Sequence, residues 1–136
     1  MREMKALRPF FWLTDVGFLV YWSIVFLEWL PPEYLYPDYA NPLMVAWNLS
    51  FFPLDLFISI TGLTSLYFYH ANRNWRPMAQ VSLVLTFCSG LQAIAFWGFK
   101  GDFDPAWWLP NLYLLLYPLF FYRLFAGKQL DSAASQ

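Results

Sequence analysis

The sequence predicts an all-α polytopic membrane protein, a four-transmembrane-helix bundle with both termini cytoplasmic. Three observations predict it. Of 136 residues, 60% are hydrophobic and only 12% charged, against roughly a quarter charged in ordinary soluble domains. Four apolar runs, 10–30, 43–69, 78–99 and 107–125, each match the span of about 20 residues that crosses a hydrocarbon core of about 30 Å. Seven basic residues, Arg2, Lys5, Arg8, Arg73, Arg76, Arg123 and Lys128, flank these runs on one side, and only Lys100 lies on the other. Loops rich in Lys and Arg stay in the cytoplasm.

Arg2, Lys5 and Arg8 precede the first span, so a cleavable signal peptide is its rival reading. The run is too long for that, carries Asp15, and leads into "EWLPPEYLYP" without a small-residue cleavage site. It is therefore read as retained. The second span contains Pro53 and Asp55, the third the single cysteine, Cys88, and the fourth Pro118. A lone cysteine forms no internal disulfide, and Cys88 is read as a small core residue. The spans and their short connections make one domain, 1–125, followed by a short polar tail, 126–136.

Several functions are excluded. The net charge of -1 hides segregated bases rather than a clustered basic face, which argues against nucleic acid as a partner. There is one histidine, His70, and no Cys or His pair at ligand spacing, so no metal is expected. No glycine-rich phosphate loop is present, no cofactor is expected, and no catalytic residue is assigned. Trp29, Trp75, Trp107 and Trp108 fall at span ends, where indole rings anchor in the headgroup zone.

Polar residues inside the spans carry the functional signal, because an ionised carboxylate at mid-bilayer costs at least roughly 2.5 kcal/mol. Asp15, Glu28 and Asp55 qualify, and Asp55 is the deepest. At about 100° per residue, Asn48, Asp55, Ser59 and Gly62 share one face of the second span. Helix packing accounts for Ser59 and Gly62; it accounts less well for a carboxylate. Pro53 removes one backbone donor, frees the Leu49 carbonyl and predicts a kink, and Pro118 predicts another. Gln92, Asn111, Tyr113 and Tyr117 lie at compatible depths on the other spans. Asp15 is about 140° from Glu28 around its helix, so those two acids do not serve one narrow site.

The runs "TDVGFLVYW", "PPEYLYPDYANPLMVAWNLSFFPLDLFISITGLTSLY" and "LTFCSGLQAIAFW" resemble the YvaD-like family of small bacterial membrane proteins, over roughly residues 14–121. That resemblance implies a four-helix protein of the bacterial cytoplasmic membrane. A more distant similarity is to the EXPERA superfamily of emopamil-binding protein and the sigma-2 receptor. It rests on Glu28 with Leu30 and Pro31, the "LYP" loop at Leu35, Phe51 to Pro53 with Asp55, and Tyr117 with Pro118. It implies that Glu28 and Asp55 face a shared pocket for amine-bearing or sterol-like ligands. The histidine of the sterol isomerases has no counterpart.

The leading expectation is a membrane protein that binds a membrane lipid or a small lipophilic ligand (sterol-like, isoprenoid or amine-bearing). Its pocket is lined by Glu28, Asn48, Asp55, Gln92, Asn111, Tyr113 and Tyr117. Two alternatives remain: a small proton-coupled exporter of lipophilic cations with Asp15 as the coupling acid, and a non-catalytic partner subunit. A homo-oligomer stays open, although no GxxxG face supports one.

Overall fold

The computed structural model describes residues 2–134, with the side chains of 2–123 and Phe125. Among these residues all regular structure is helical. The first rod consists of α1 (Arg2–Phe11), a π-helical turn (Trp12–Val16) and α2 (Gly17–Phe26). It is followed by a 3-10 turn (Pro32–Tyr34), α3 (Pro42–His70), α4 (Arg76–Lys100) and α5 (Pro105–Ala134). The stretches Arg2–Phe26, Pro42–His70 and Arg76–Lys100 are long and apolar enough to cross a membrane. Both ends of the described chain lie at one end of the bundle, the termini end, and the 27–41 and 101–104 connections lie at the other, the loop end.

Local chemistry sets the boundaries. Asn41 caps α3 by accepting from the Leu43 N–H at 3.0 Å, and Pro42 begins the helix where a missing N–H costs nothing. Asp104 does the same for α5, accepting from the Ala106 N–H at 2.9 Å. At the other ends, α2 closes with Trp29 N–H to Ile24 O, α3 with Arg73 N–H to Phe68 O, and α4 with Asp102 N–H to Trp97 O. Each is a six-to-one bond around a left-handed residue: Glu28 at φ 52°, Asn72 at φ 54° and Gly101 at φ 73°. Glu28 therefore ends a helix.

The helices α4 and α5 pack along most of their length, and Gly90 permits it. A Cβ there would lie 2.6 Å from the Leu115 nitrogen and 2.9 Å from the Asn111 carbonyl oxygen. The core has three layers. At the termini end Met4, Leu7 and Phe11 pack with Leu66, Trp75, Leu83 and Phe121. In the middle lie Thr14, Asp15, Asp55, Ser59, Ser65, Ser82, Thr86 and Ser89, all buried. At the loop end Met44, Ala93 and Trp97 pack with Trp47, Phe51, Phe96, Trp107 and Trp108.

Several expectations are revised. The first rod begins at Arg2 rather than near residue 10, because Met4, Leu7 and Phe11 form a buried stripe and the buried Glu3 pairs with Arg76 at 3.5 Å. Trp75, expected as an interfacial anchor, is core and packs on Phe125. Cys88 is exposed. The prolines at which kinks are expected lie inside continuous helices, Pro53 within α3 and Pro118 within α5; Pro53 is exposed and Pro118 is fully buried. Most of the expected tail continues α5 to Ala134, whereas residues 135–136 and the Lys128 side chain lie outside what is described.

Gly90→Ala is expected to destabilise the protein by about 1–3 kcal/mol, the usual cost of overpacking. Gly98→Ala, where nothing lies within 4 Å of the new methyl, serves as the unstrained control in the same detergent-solubilised thermal unfolding. Glu28→Gly should raise stability by roughly 1 kcal/mol by relieving a left-handed non-glycine residue. A Glu28→Gly protein less stable than wild type would show instead that the carboxylate makes a contact the fold needs.

Candidate functional site

The polar face of α3 is the seam against the first rod. Along it Tyr21 Oη donates to Asn48 Oδ1 at 2.9 Å, Trp22 Nε1 to Asp55 Oδ2 at 3.0 Å, and Ser59 Oγ to the Asp15 carbonyl at 3.0 Å. Gly62 completes the series, since a Cβ there would run into the Asp15 carboxylate. From α4, Ser89 Oγ donates to Asp55 Oδ1 at 3.3 Å and Ser82 Oγ to the Ile58 carbonyl at 3.3 Å. Asp55 is thus held from both sides, one oxygen by an indole N–H and the other by a hydroxyl. It forms no ion pair among the described residues.

Toward the loop end, Asp55 forms part of the floor of a cavity of about 380 Å³. Its walls are Trp47, Phe51, Trp97 and Trp107, with Phe18, Trp22, Met44 and Leu114, and Tyr36 from the connecting loop. The Trp97 and Trp107 rings are stacked, with centroids 6.2 Å apart. Besides Asp55, the polar side chains of Tyr21, Asn48, Ser89 and Asn111 reach it from the helices flanking it. The Asn48 Nδ2 group is buried and has no hydrogen-bond partner, so the cavity presents a spare donor. Asn111 Nδ2 is already bonded to the Trp107 carbonyl at 2.7 Å.

A second depression, about 320 Å³, lies between α2 and α3 and is lined by Leu19, Ser23, Phe26, Leu27, Phe52, Leu56 and Ser59. Phe18, Trp22 and Asp55 line both spaces and form the partition between them. Chemically, the cavity combines a fixed carboxylate, one free amide donor and large aromatic faces.

Of the residues expected to line a pocket, the structure brings Asn48, Asp55 and Asn111 together around this cavity. The other four lie elsewhere. Glu28 is exposed at the end of α2, so the shared Glu28–Asp55 pocket implied by the EXPERA resemblance is not what the fold builds. Gln92 is exposed on α4, one residue and about 100° away from the inward Ala93. Tyr113 lies toward the termini end, where its hydroxyl bonds Thr14 Oγ1 at 3.1 Å, and Tyr117 is buried in the inner core. The sequence reading missed Trp22, Trp47 and Trp97 and took Trp107 for an anchor. The one signal for Trp22 was its spacing of seven from Asp15, which places both on one helical face.

Trp22→Phe keeps a ring in the partition but removes a donor from a buried carboxylate, which costs about 1–3 kcal/mol. The double variant Trp22→Phe/Asp55→Leu should recover most of that loss, because both polar partners then disappear. Additive losses in the thermal unfolding of the four proteins would show that the pair is not coupled.

Comparison with known proteins places the chain in a family. Residues 7–132 match the family of unknown function DUF5360. The chain is 52% identical over 122 residues to the uncharacterized protein YvaD of Bacillus subtilis (strain 168), covering 89% of this chain and 92% of that protein. No solved structure matches. The aromatic cavity, the buried polar seam and the helical rods therefore belong to a member of the DUF5360 family.

Proposed function

We propose that this protein is a multi-pass protein of the bacterial cytoplasmic membrane that binds a lipophilic, amine-bearing ligand in the cavity above Asp55. One observation carries the reading: a carboxylate fixed by Trp22 and Ser89 forms part of the floor of an aromatic chamber of about 380 Å³, with the unpartnered Asn48 Nδ2 group beside it. An acid in such a place is expensive unless it has a positive partner or carries a proton. An amine supplies that charge, and the Trp and Phe faces supply area for the apolar body and cation–π attraction. A sterol-like or isoprenoid skeleton fits the same walls.

The membrane topology belongs to this proposal. The helix α5 is the fourth span; its 30 residues rise about 45 Å at 1.5 Å each. It buries Leu114, Tyr117 and Phe121 against the other helices. Every described base at the termini end is exposed, as cytoplasmic positive charge should be. At the loop end Lys100 is neutralised by Asp38 at 2.5 Å and Asp102 at 3.9 Å. Both termini then face the cytoplasm and the chamber lies in the outer half of the bilayer.

Asp55 is the charge partner, Asn48 offers a donor to a ligand oxygen, and Asn111 lines the opposite wall. With purified protein in lipid nanodiscs and a radiolabelled lipophilic tertiary amine, Asp55→Asn should weaken binding roughly ten- to hundred-fold, the equivalent of a charge-assisted hydrogen bond. Glu28→Gln should leave the dissociation constant unchanged, and Asp15→Asn should matter less than Asp55→Asn. Equal effects at Asp55 and Glu28, or no saturable binding to wild type, would remove the reading. Native mass spectrometry of the purified protein should also show a co-purifying lipophilic molecule that Asp55→Asn loses.

A further inference from the structure

Buried polar atoms without a hydrogen-bond partner are not scattered through the described residues. Apart from Asn48 Nδ2 they are both carboxylate oxygens of Asp15, the Ser65 hydroxyl and the Tyr117 hydroxyl. These come from three elements, the π-helical turn, α3 and α5, and all lie on the termini side of Asp55. None lines the cavity above Asp55.

Proximity links them. The Asp15 carboxylate lies against Gly62, and Ser65 follows one turn later on the same face of α3. The Tyr117 hydroxyl is beside the Thr14 and Thr86 hydroxyls and within electrostatic reach of Asp15. The titratable groups facing Asp15 are the phenols of Tyr113 and Tyr117 from α5. Against it α3 presents Ser59 and Gly62, and Thr86 of α4 borders Tyr117; no ion pair among the described residues reaches Asp15.

Asp15 is 0% exposed, and an isolated carboxylate in such surroundings cannot stay charged without a positive partner. The backbone that holds it is also unusual. A π-helical turn is rare; it occurs mostly as a single turn inside an α-helix, frequently at functional sites. Here that turn buries Thr14 and Asp15 side by side.

We propose that Asp15, with the Ser65 and Tyr117 hydroxyls, forms a second site, separate from the cavity above Asp55, that takes up a small monovalent cation, Na⁺ or a proton. The donors are all oxygen, which suits a hard cation. They carry one negative charge, which matches a charge of +1; of the other two buried acids among the described residues, Asp55 is occupied by Trp22 and Ser89 and Glu3 pairs with Arg76. The proposal does not depend on the amine-binding reading, since the two sites share no residue.

The full chain in lipid nanodiscs provides the test, through thermal unfolding in NaCl against choline chloride at equal ionic strength, and across pH. A Na⁺ site gives a melting temperature that rises with NaCl and not with choline chloride. A proton site gives one that falls as pH rises, because the folded state then binds more protons than the unfolded chain. Either response should vanish in Asp15→Asn, and Tyr117→Phe should weaken the apparent cation affinity about tenfold, the loss of one ligand-type hydrogen bond. If the Tyr117 hydroxyl is only an orphan in a packed core, Tyr117→Phe instead raises the melting temperature equally in both salts and at every pH, and the proposal falls. It falls also if wild type shows no Na⁺ or pH response that Asp15→Asn lacks. Should Asp15→Asn fail to fold, Ser65→Ala and Tyr117→Phe carry the same comparison.

Discussion

The hydrogen bond from the Trp22 indole to Asp55 fixes how the first rod sits against the rest of the bundle. Lipid tails are as apolar as leucine, so the bilayer offers no hydrophobic drive to bring two apolar helices together; close packing and interhelical hydrogen bonds must do it. On α3 those bonds lie on one face, Asn48, Asp55 and Ser59, and each meets a group of the first rod. Ser89 extends the same connection to α4. The second oxygen of one carboxylate thereby ties three helices into one register.

The cavity follows from that register. With Asp55 held in the centre of α3, the wide Trp22 side chain becomes a partition, and the space on its loop side is left to aromatic rings that are too large to interdigitate fully. On the termini side the helices close more tightly around Met4, Leu7, Phe11 and Phe121, and the polar atoms caught between the two regions are those of Asp15, Ser65 and Tyr117. Two acids on neighbouring helices consequently have different surroundings. Asp55 has donors and opens onto a chamber; Asp15 has neither.

Much of α3 was legible in the sequence, because spacings of seven, four and three return to the same side of a helix with 3.6 residues per turn. That periodicity identified Asn48, Asp55, Ser59 and Gly62 as one face, and the structure turns that face inward. Residues on other spans were matched to it by depth alone, which leaves the azimuth free. Asn111 falls on the cavity wall, whereas Gln92 is rotated outward beside the inward Ala93. Glu28 was misplaced for a different reason. Its six-to-one closing bond and left-handed backbone depend on where α2 stops, which an uninterrupted apolar run does not reveal.

By itself the sequence determined a helical chain with apolar runs of membrane-spanning length and an acid-bearing face on the second long helix. These properties follow from composition and period, which are local. The tertiary structure decided which acid meets which partner, because that depends on the rotation and axial register of one helix against another. A shift of one residue turns a side chain by about 100°, enough to exchange an interior position for a lipid-facing one. Only packing could therefore give Asp55 its indole and leave Asp15 buried without a partner.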